Sequence, residues 1–407
     1  MVLDRFRWAF CQLEFLRQCL STRIQWALDE KPTTLDGTYE RALQGILEEK
    51  RQPVHRLFQY LVVAIRPLRV EELAELFAIE FDPDAGPKLK EGWRPENLED
   101  AVLSACSNLV EKKGSNIVQF THFSVGEFLT SDRLPISDIV NIRHYHIPLD
   151  TAHTILARAC FTILLQFDET VDKKRLETFP LAFYAAQHWV DHVNYGDVAS
   201  RFHGAIEELF DPSKPYLASW IWIHDVDSNH VRKTIETLEE RPKWSEGIAL
   251  YQSLRYAMLC GFDWLAKNLI LTHAGRVNAE FGNCGTLLHA ASYHGPVDLV
   301  RLLLQHNADV NARNNRNETP LHHAAQAEVA RLLLEHGAFV DAQSGSHKTP
   351  LYQASELGHR DVVRVLLEHG AVVHIRGEKD QTPFQVATSN GHVEVAQLLS
   401  EHGAEKE

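Results

Sequence analysis

The chain has 407 residues, 44% of them apolar and 24% charged, which suits a protein of two or three compact domains. Its 41 Lys and Arg against 55 Asp and Glu leave a net charge of −14. With no basic patch in the sequence, that balance speaks against nucleic acid and anionic lipid as partners. The longest apolar stretches, "YLVVAI" and "CFTILL", are too short to cross a bilayer, and six scattered cysteines without a CxxC pair make neither a disulfide framework nor a zinc ribbon.

The first residues, "MVLDRFRWAFCQLEF", are charged and lack a long apolar core, so they do not read as a secretory signal, and a cytoplasmic location is expected. Residues 35–134 then alternate helix and strand. "TYERALQGIL" and "VHRLFQYLVVAI" have the apolar spacing of amphipathic helices. "RPLRVEELAELFAIEF" reads as a turn and a helix, followed by a polar loop rich in Pro and Gly. "NLEDAVLSAC" reads as a further helix, and "NLVEKKGSNIVQF" as a hairpin around Lys113, Gly114 and Ser115. Three helices and a hairpin predict a winged helix. The helix before the hairpin carries Glu96, Glu99 and Asp100 beside a single Arg94, the wrong charge for a DNA major groove.

"FTHFSVGEFL" (120–129) resembles the G-x-S-x-G elbow of a serine hydrolase at every place but the first, where His122 is too bulky for the sharp turn. Ser124 followed by Glu127 is also the S-x-x-E capping box, with Phe123 and Phe128 spaced as a hydrophobic staple. The expectation is therefore that Ser124 caps a helix and is not a nucleophile. Residues 135–250 read as a helical bridge, with Asp150 capping "TAHTILARACFTILLQF" and a helix opening at Pro180. Within that helix His188 and His192 have the spacing of a zinc pair, but Trp189 stands where a metalloprotease has its Glu, so a packed helix contact is expected.

Residues 251–407 repeat. "TLLHAAS" at Thr286, "TPLHHAA" at Thr319, "TPLYQAS" at Thr349 and "TPFQVAT" at Thr382 recur at intervals of 33, 30 and 33, each followed by a leucine-rich helix. A degenerate copy, "SLRYAMLCGFDWLAKNLILTHAG", precedes them, making about five. The pattern resembles the ankyrin repeat. Thr319 is placed to cap a helix and Pro320 to open it, while Gly337, Gly370, Gly403 and Asn307 stand where a left-handed residue ends the second helix. Cys284, Asn317, His347 and Asp380 occupy the finger position where glycine is usual, and the last three tolerate positive φ. The repeat at Thr319 lacks three residues, including the Gly-His between its helices, so a tightened loop and a kink are expected there. His289, His322 and His323 are expected to hydrogen-bond neighbouring loops and not to hold a metal.

"FRWAFCQLEFLRQC", "LDGTYERAL", "VVAIRPLRVEELAELFA", "VLSACSNLV" and "FTHFSVGEFLTS" together resemble the fungal NACHT-type STAND (NLR-like) ATPases: the end of the NACHT module, over residues 1–34, and then a winged helix of the GPI inositol-deacylase type. The resemblance implies a signalling protein with C-terminal ankyrin repeats as its sensor. It also implies that His122 matches a histidine that relatives set against bound ADP. No G-x-x-x-x-G-K-[ST] loop is present, so no nucleotide cofactor is expected; the chain reads as a truncated product or as part of a longer one.

The sequence thus predicts a mainly α protein: winged helix, helical bridge and ankyrin solenoid. The leading function is a non-enzymatic interaction protein without cofactor or metal. Its partner is expected on the repeats, through Arg313, Asn315, Arg316, Gln343, Ser346, Arg376, Glu378 and Lys379, polar turn residues that packing does not require. The alternatives are a regulatory or decoy subunit that assembles with a NACHT-containing protein and, third, a DNA-binding regulator.

Overall fold

A computed structural model describes residues 34–82, 86–97, 102–106, 108–114, 116–224, 244–281 and 285–404. The expected NACHT remnant, residues 1–34, lies outside the described residues except for Thr34. The protein is mainly helical, with its described strands confined to residues 68–120. The described residues fall into two compact units, 34–206 with 219–224, and 207–218 with 244–404. The stretch 135–250, read from the sequence as one bridge, is shared between them.

In the first unit Thr34 caps α1 (Leu35–Gln44), its hydroxyl accepting the Gly37 N–H at 3.0 Å. Helix α2 (Glu48–Val63) buries Val54, Leu57, Phe58 and Tyr60 completely, the i, i+3, i+4 stripe that its apolar spacing predicts. After β1 (Leu68–Arg69), α3 (Val70–Phe77) opens on Glu72. Its carboxylate accepts the Arg69 N–H at 2.8 Å and both arms of the Arg66 guanidinium at 2.6 and 2.9 Å. The polar loop expected next is in part a second hairpin, β2 (Ile79–Asp82) against β3 (Gly86–Leu89). The helix read in "NLEDAVLSAC" is, in its described part, one 3-10 turn over Leu103–Cys106, and Arg94 to Asn97 before it are not helical.

The predicted hairpin is present as β4 (Val110–Lys113) and β5 (Ile117–Phe120), with Val110 opposite Phe120. It is extended to three strands, order β1-β5-β4, because Leu68 pairs with Val118 and both side chains are fully buried. Helix α4 (Phe123–Leu129) follows at once. Then come α5 (Leu149–Leu164), α6 (Lys173–Glu177) and α7 (Ala182–Val193). Asp150 is not the cap of α5: Pro148 occupies that place, and Asp150 lies in the first turn, where it suits the helix dipole and takes Arg201 at 2.6 Å. Two further helices, α8 (His203–Phe210) and α9 (Tyr216–Ile223), are divided between the units, with residues 203–206 and 219–223 in the first. The Trp220 indole N–H donates to the Ala186 carbonyl at 2.8 Å, and its ring stands edge-on to Trp189 at 5.3 Å.

The second unit is a row of helix pairs: α10 (Glu246–Leu259) with α11 (Asp263–Thr272), α12 (Leu287–His294) with α13 (Val297–Gln305), the 3-10 turn Pro320–His323 with α14 (Ala327–Glu335), α15 (Pro350–Leu357) with α16 (Arg360–Glu368), and α17 (Pro383–Ser389) with α18 (Val393–Glu401). First members pack on first members and second on second, so each pair buries its apolar side against the next. Asn317, His347 and Asp380 adopt φ of 60°, 60° and 58°, and Asn307 adopts 60°, as the missing finger and cap glycines require. Cys284 lies outside the described residues.

The missing residues at Thr319 are taken out of the first helix. Pro320–His323 is four residues long where α12 and α15 have eight, and Ala324 already turns the chain toward α14. A 3-10 turn ends in three residues per turn, so it is the shortest way to keep Thr319 and Pro320 in the capping position while starting α14 on time.

Candidate interaction surface

Ser124 does not cap α4. The cap is His122, whose Nδ1 accepts the Ser124 N–H at 3.1 Å, and Ser124 is the second residue of the helix. An imidazole Nδ1 lies as near its own backbone as a carboxylate oxygen of Asp, which is why histidine can take this place. Ser124 Oγ sits 2.7 Å from that nitrogen and 2.7 Å from the Tyr39 hydroxyl. Since Nδ1 accepts the backbone N–H, it carries no proton; the Ser124 hydroxyl therefore donates to it and accepts from Tyr39. The expected staple is absent too, because Phe123 is 57% exposed and lies against the His122 ring at 4.3 Å. A buried serine held between a tyrosine and a histidine ties α1 to the hairpin-to-α4 corner.

His188 and His192 go to different partners. The fully buried His192 shares Nδ1 with His153 Nδ1 at 2.9 Å and Nε2 with the Tyr184 hydroxyl at 2.8 Å, while His188 faces Asp191. Burial, with His153 adding to it, pushes His192 down to about 3, so the ring is neutral. No group of three His, Cys, Asp or Glu side chains fit to hold a metal occurs among the described residues. Arg94, the one cation of the expected DNA-reading helix, is ion-paired with the buried Glu75. Burial raises the Glu75 carboxyl, opposed by the Leu181 N–H at 2.6 Å and by Arg94, so Glu75 ties α3 both to Arg94 and to the chain just before α7.

In two of the repeats the histidine three places after the Thr does two jobs. His289 and His322 accept the Thr286 and Thr319 N–H at Nδ1, at 3.1 and 3.0 Å. Their Nε2 donates to the next finger, at Glu318 O, 3.1 Å, and Lys348 O, 3.0 Å. Tyr352 reaches Glu378 O at 3.3 Å, and in the last repeat Gln385 accepts the Thr382 N–H at 2.9 Å. Burial holds both histidines down to about 4, which keeps them neutral and in the one tautomer that serves both bonds. His323 instead faces Glu318 at 3.2 Å, and that carboxyl is held down to about 2 by His323 first and then by Asn314.

The expected partner residues all fall on the fingers, at 313–316, 343–346 and 376–379. Arg313, Asn315, Arg316, Gln343, Ser346, Arg376 and Glu378 are exposed, and the side chain of Lys379 lies outside the described residues. Several hold the fingers together. Arg313 donates to Asn317 O and Gln343 O, both at 2.9 Å, and Arg376 donates to Asp380 O at 2.7 Å. Each arginine thus braces the carbonyl of a left-handed finger residue. Glu378 pairs with Lys348 at 2.9 Å, and Ser346 Oγ lies 3.2 Å from Ser344 Oγ. What the sequence missed is the Arg313/Arg376 recurrence, four places before each left-handed residue's carbonyl.

Among the described residues no helix is long and apolar enough to cross a membrane. Residues 39–140 match the family described as GPI inositol-deacylase, winged helix domain, and residues 254–344 and 340–407 match the family of ankyrin repeats in three copies. The azaphilone pigments biosynthesis cluster protein L of Monascus ruber is 30% identical over 300 residues, which take in 70% of this chain and 61% of that relative. The chain therefore spans less than two thirds of the length of the curated relative it matches. On fold and matches together, this is a mainly α protein that carries a winged-helix domain of the GPI inositol-deacylase type followed by ankyrin repeats.

Proposed function

We propose that the chain is a non-enzymatic, cytoplasmic interaction protein whose ankyrin fingers and first helices hold a protein partner. The observation that carries this reading is the line of exposed polar side chains at Asn315, Arg316 and Ser346, presented by two fingers that Arg313 joins by donating to Asn317 O in one and Gln343 O in the other. Braced loops lose little entropy when a partner orders them, which favours binding. The winged helix ties the chain, as a proposal, to NLR-like STAND signalling proteins, and a second reading is a regulatory or decoy subunit that assembles with a NACHT-containing protein.

The test reverses charge on the fingers of the intact chain: Arg316→Glu with Ser346→Arg, in pulldowns from native lysate with the partner identified by mass. Loss of one partner at unchanged melting temperature supports the fingers as the surface. A partner retained in full sinks that assignment, and a NACHT protein among the retained partners favours the second reading.

A further inference from the structure

Helix α2 carries Arg51 and His55 one turn apart, so both lie on one face. The 3-10 turn Val140–Tyr145 brings His144 and Tyr145 against that face. The His55 ring stands edge-on to Tyr145 at 6.1 Å and to His144 at 6.2 Å, and the His144 and Tyr145 rings lie 3.9 Å apart. Two polar atoms at this meeting are buried without a hydrogen bond among the described residues. They are His55 Nε2 and the hydroxyl of the fully buried Tyr145. A buried polar atom left unpaired is costly and rare, so each calls for a partner.

The groups that meet here donate hydrogen bonds or carry positive charge, and none is an acid. Arg51 is half-buried and forms no ion pair or hydrogen bond among the described residues. It is the charge felt both by His144 and by the Tyr145 hydroxyl, so it lies near both. Burial pushes that hydroxyl up to about 12, with Arg51 opposing, so it keeps its proton and donates. Burial first, then Arg51, lowers His144. Burial first, then His144, takes His55 down to about 4, with the His146 main chain opposing. No carboxylate figures among the charges acting on His55, His144 or Tyr145. In a chain of net charge −14, an arginine and two histidines without a counter-charge form a cluster short of an anion. His144 is exposed, so the cluster opens to solvent.

We propose that Arg51, His55, His144 and Tyr145 form a binding site for a small phosphate-type oxyanion, free or as a monoester. The guanidinium supplies fixed charge and a fork of donors. The Tyr145 hydroxyl and His55 Nε2, protonated, supply the buried donors, and His144 closes the solvent side. A tetrahedral oxyanion offers acceptors in several directions, as donors arriving from two elements require; a carboxylate offers two in one plane. The cluster spans few residues and sits in an acidic chain, which disfavours a nucleic-acid backbone or an anionic membrane.

The test titrates the intact chain with sulfate, inorganic phosphate and glycerol phosphate while following the histidine ring resonances. His55 and His144 should shift saturably at millimolar anion, ahead of the other histidines. A bound anion raises the histidine pKa, so binding takes up protons. Affinity for sulfate, whose own charge is constant, should therefore rise about threefold or more from about pH 7.5 to about pH 6. Tyr145→Phe removes an unpaired hydroxyl, so it should fold at least as stably as wild type while anion affinity falls about tenfold, the loss of one hydrogen bond to a charged group. Arg51→Gln should weaken binding by about tenfold or more. Equal binding of glycerol phosphate and phosphate assigns the site to an esterified phosphate, and binding of phosphate alone assigns it to the free ion. Absence of a saturable shift overturns the site, as does a drift of all histidines together with ionic strength, which is screening only. Wild-type affinity in both Tyr145→Phe and Arg51→Gln overturns it too, and the stability of the first variant keeps that outcome readable.

Discussion

Replacing His322 with Gln isolates one buried titration. In the native protein His322 Nδ1 accepts the Thr319 N–H at 3.0 Å and Nε2 donates to Lys348 O at 3.0 Å, so the ring must be neutral. Burial takes its pKa from 6.5 in the unfolded chain to about 4 in the folded one. Between those values the unfolded state binds more protons than the native state, so stability is whole above about pH 6.5 and is lost as the pH falls toward 4. At about 1.36 kcal/mol per pH unit, one such histidine removes about 2 kcal/mol by pH 5 and about 3 kcal/mol by pH 4. Glutamine in the same place in the last repeat, Gln385, accepts the Thr382 N–H at 2.9 Å and cannot titrate. His322→Gln should therefore cost about 1 kcal/mol at pH 7, from the weakened reach to Lys348, and then gain on wild type by about 2 kcal/mol at pH 5. Urea unfolding of both proteins at pH 7, 6 and 5, followed by far-ultraviolet circular dichroism, measures the crossing. Parallel pH profiles for the two proteins would refute the claim that His322 is held neutral by the fold.

The Tyr39–Ser124 contact predicts strong coupling: Ser124→Ala removes a buried 2.7 Å hydrogen bond and should cost about 1–3 kcal/mol. Adding Tyr39→Phe should then cost little more, and a double-mutant cycle that is additive within about 0.3 kcal/mol would contradict the chain from Tyr39 to His122. His347→Gly relieves a left-handed φ of 60° and should raise the urea midpoint, by about 1 kcal/mol of stability; a lower midpoint would show that the side chain compensates its strain. Calorimetric titration with Mg-ATP should give no saturable heat, and micromolar binding would overturn the non-enzymatic reading.

Signals that act within a few residues were legible in the sequence. Asn307, Asn317, His347 and Asp380 could be assigned a left-handed backbone because they replace glycine at fixed places in a repeat, and each has it. The winged helix was legible from its helix spacing and hairpin. The strand Leu68–Arg69 was not, because two residues show no alternation and their pairing is with Val118, far along the chain. Ser124 was misread for a related reason: S-x-x-E is a local rule, and it lost to Tyr39, 85 positions away, which claims the hydroxyl. The short repeat was located correctly, but the sequence placed the distortion in the loop. The structure places it in the helix, since Thr319 and the start of α14 are both fixed by their neighbours.

The shortened helix also bears on how the array comes apart. In a linear stack, stability is the sum of each repeat's own term and its contacts with two neighbours, so a repeat with half a helix missing weakens two junctions at once. The pair α15–α16 with α17–α18 is thus coupled to the preceding repeats through the packing of α16 on α14, through His322 and through the finger bonds at Arg313 and Arg316, without the last turn of a first helix. Opening at that junction frees the last two repeats as one cooperative block, and amide exchange should rise together across residues 349–401, ahead of α12 and α13.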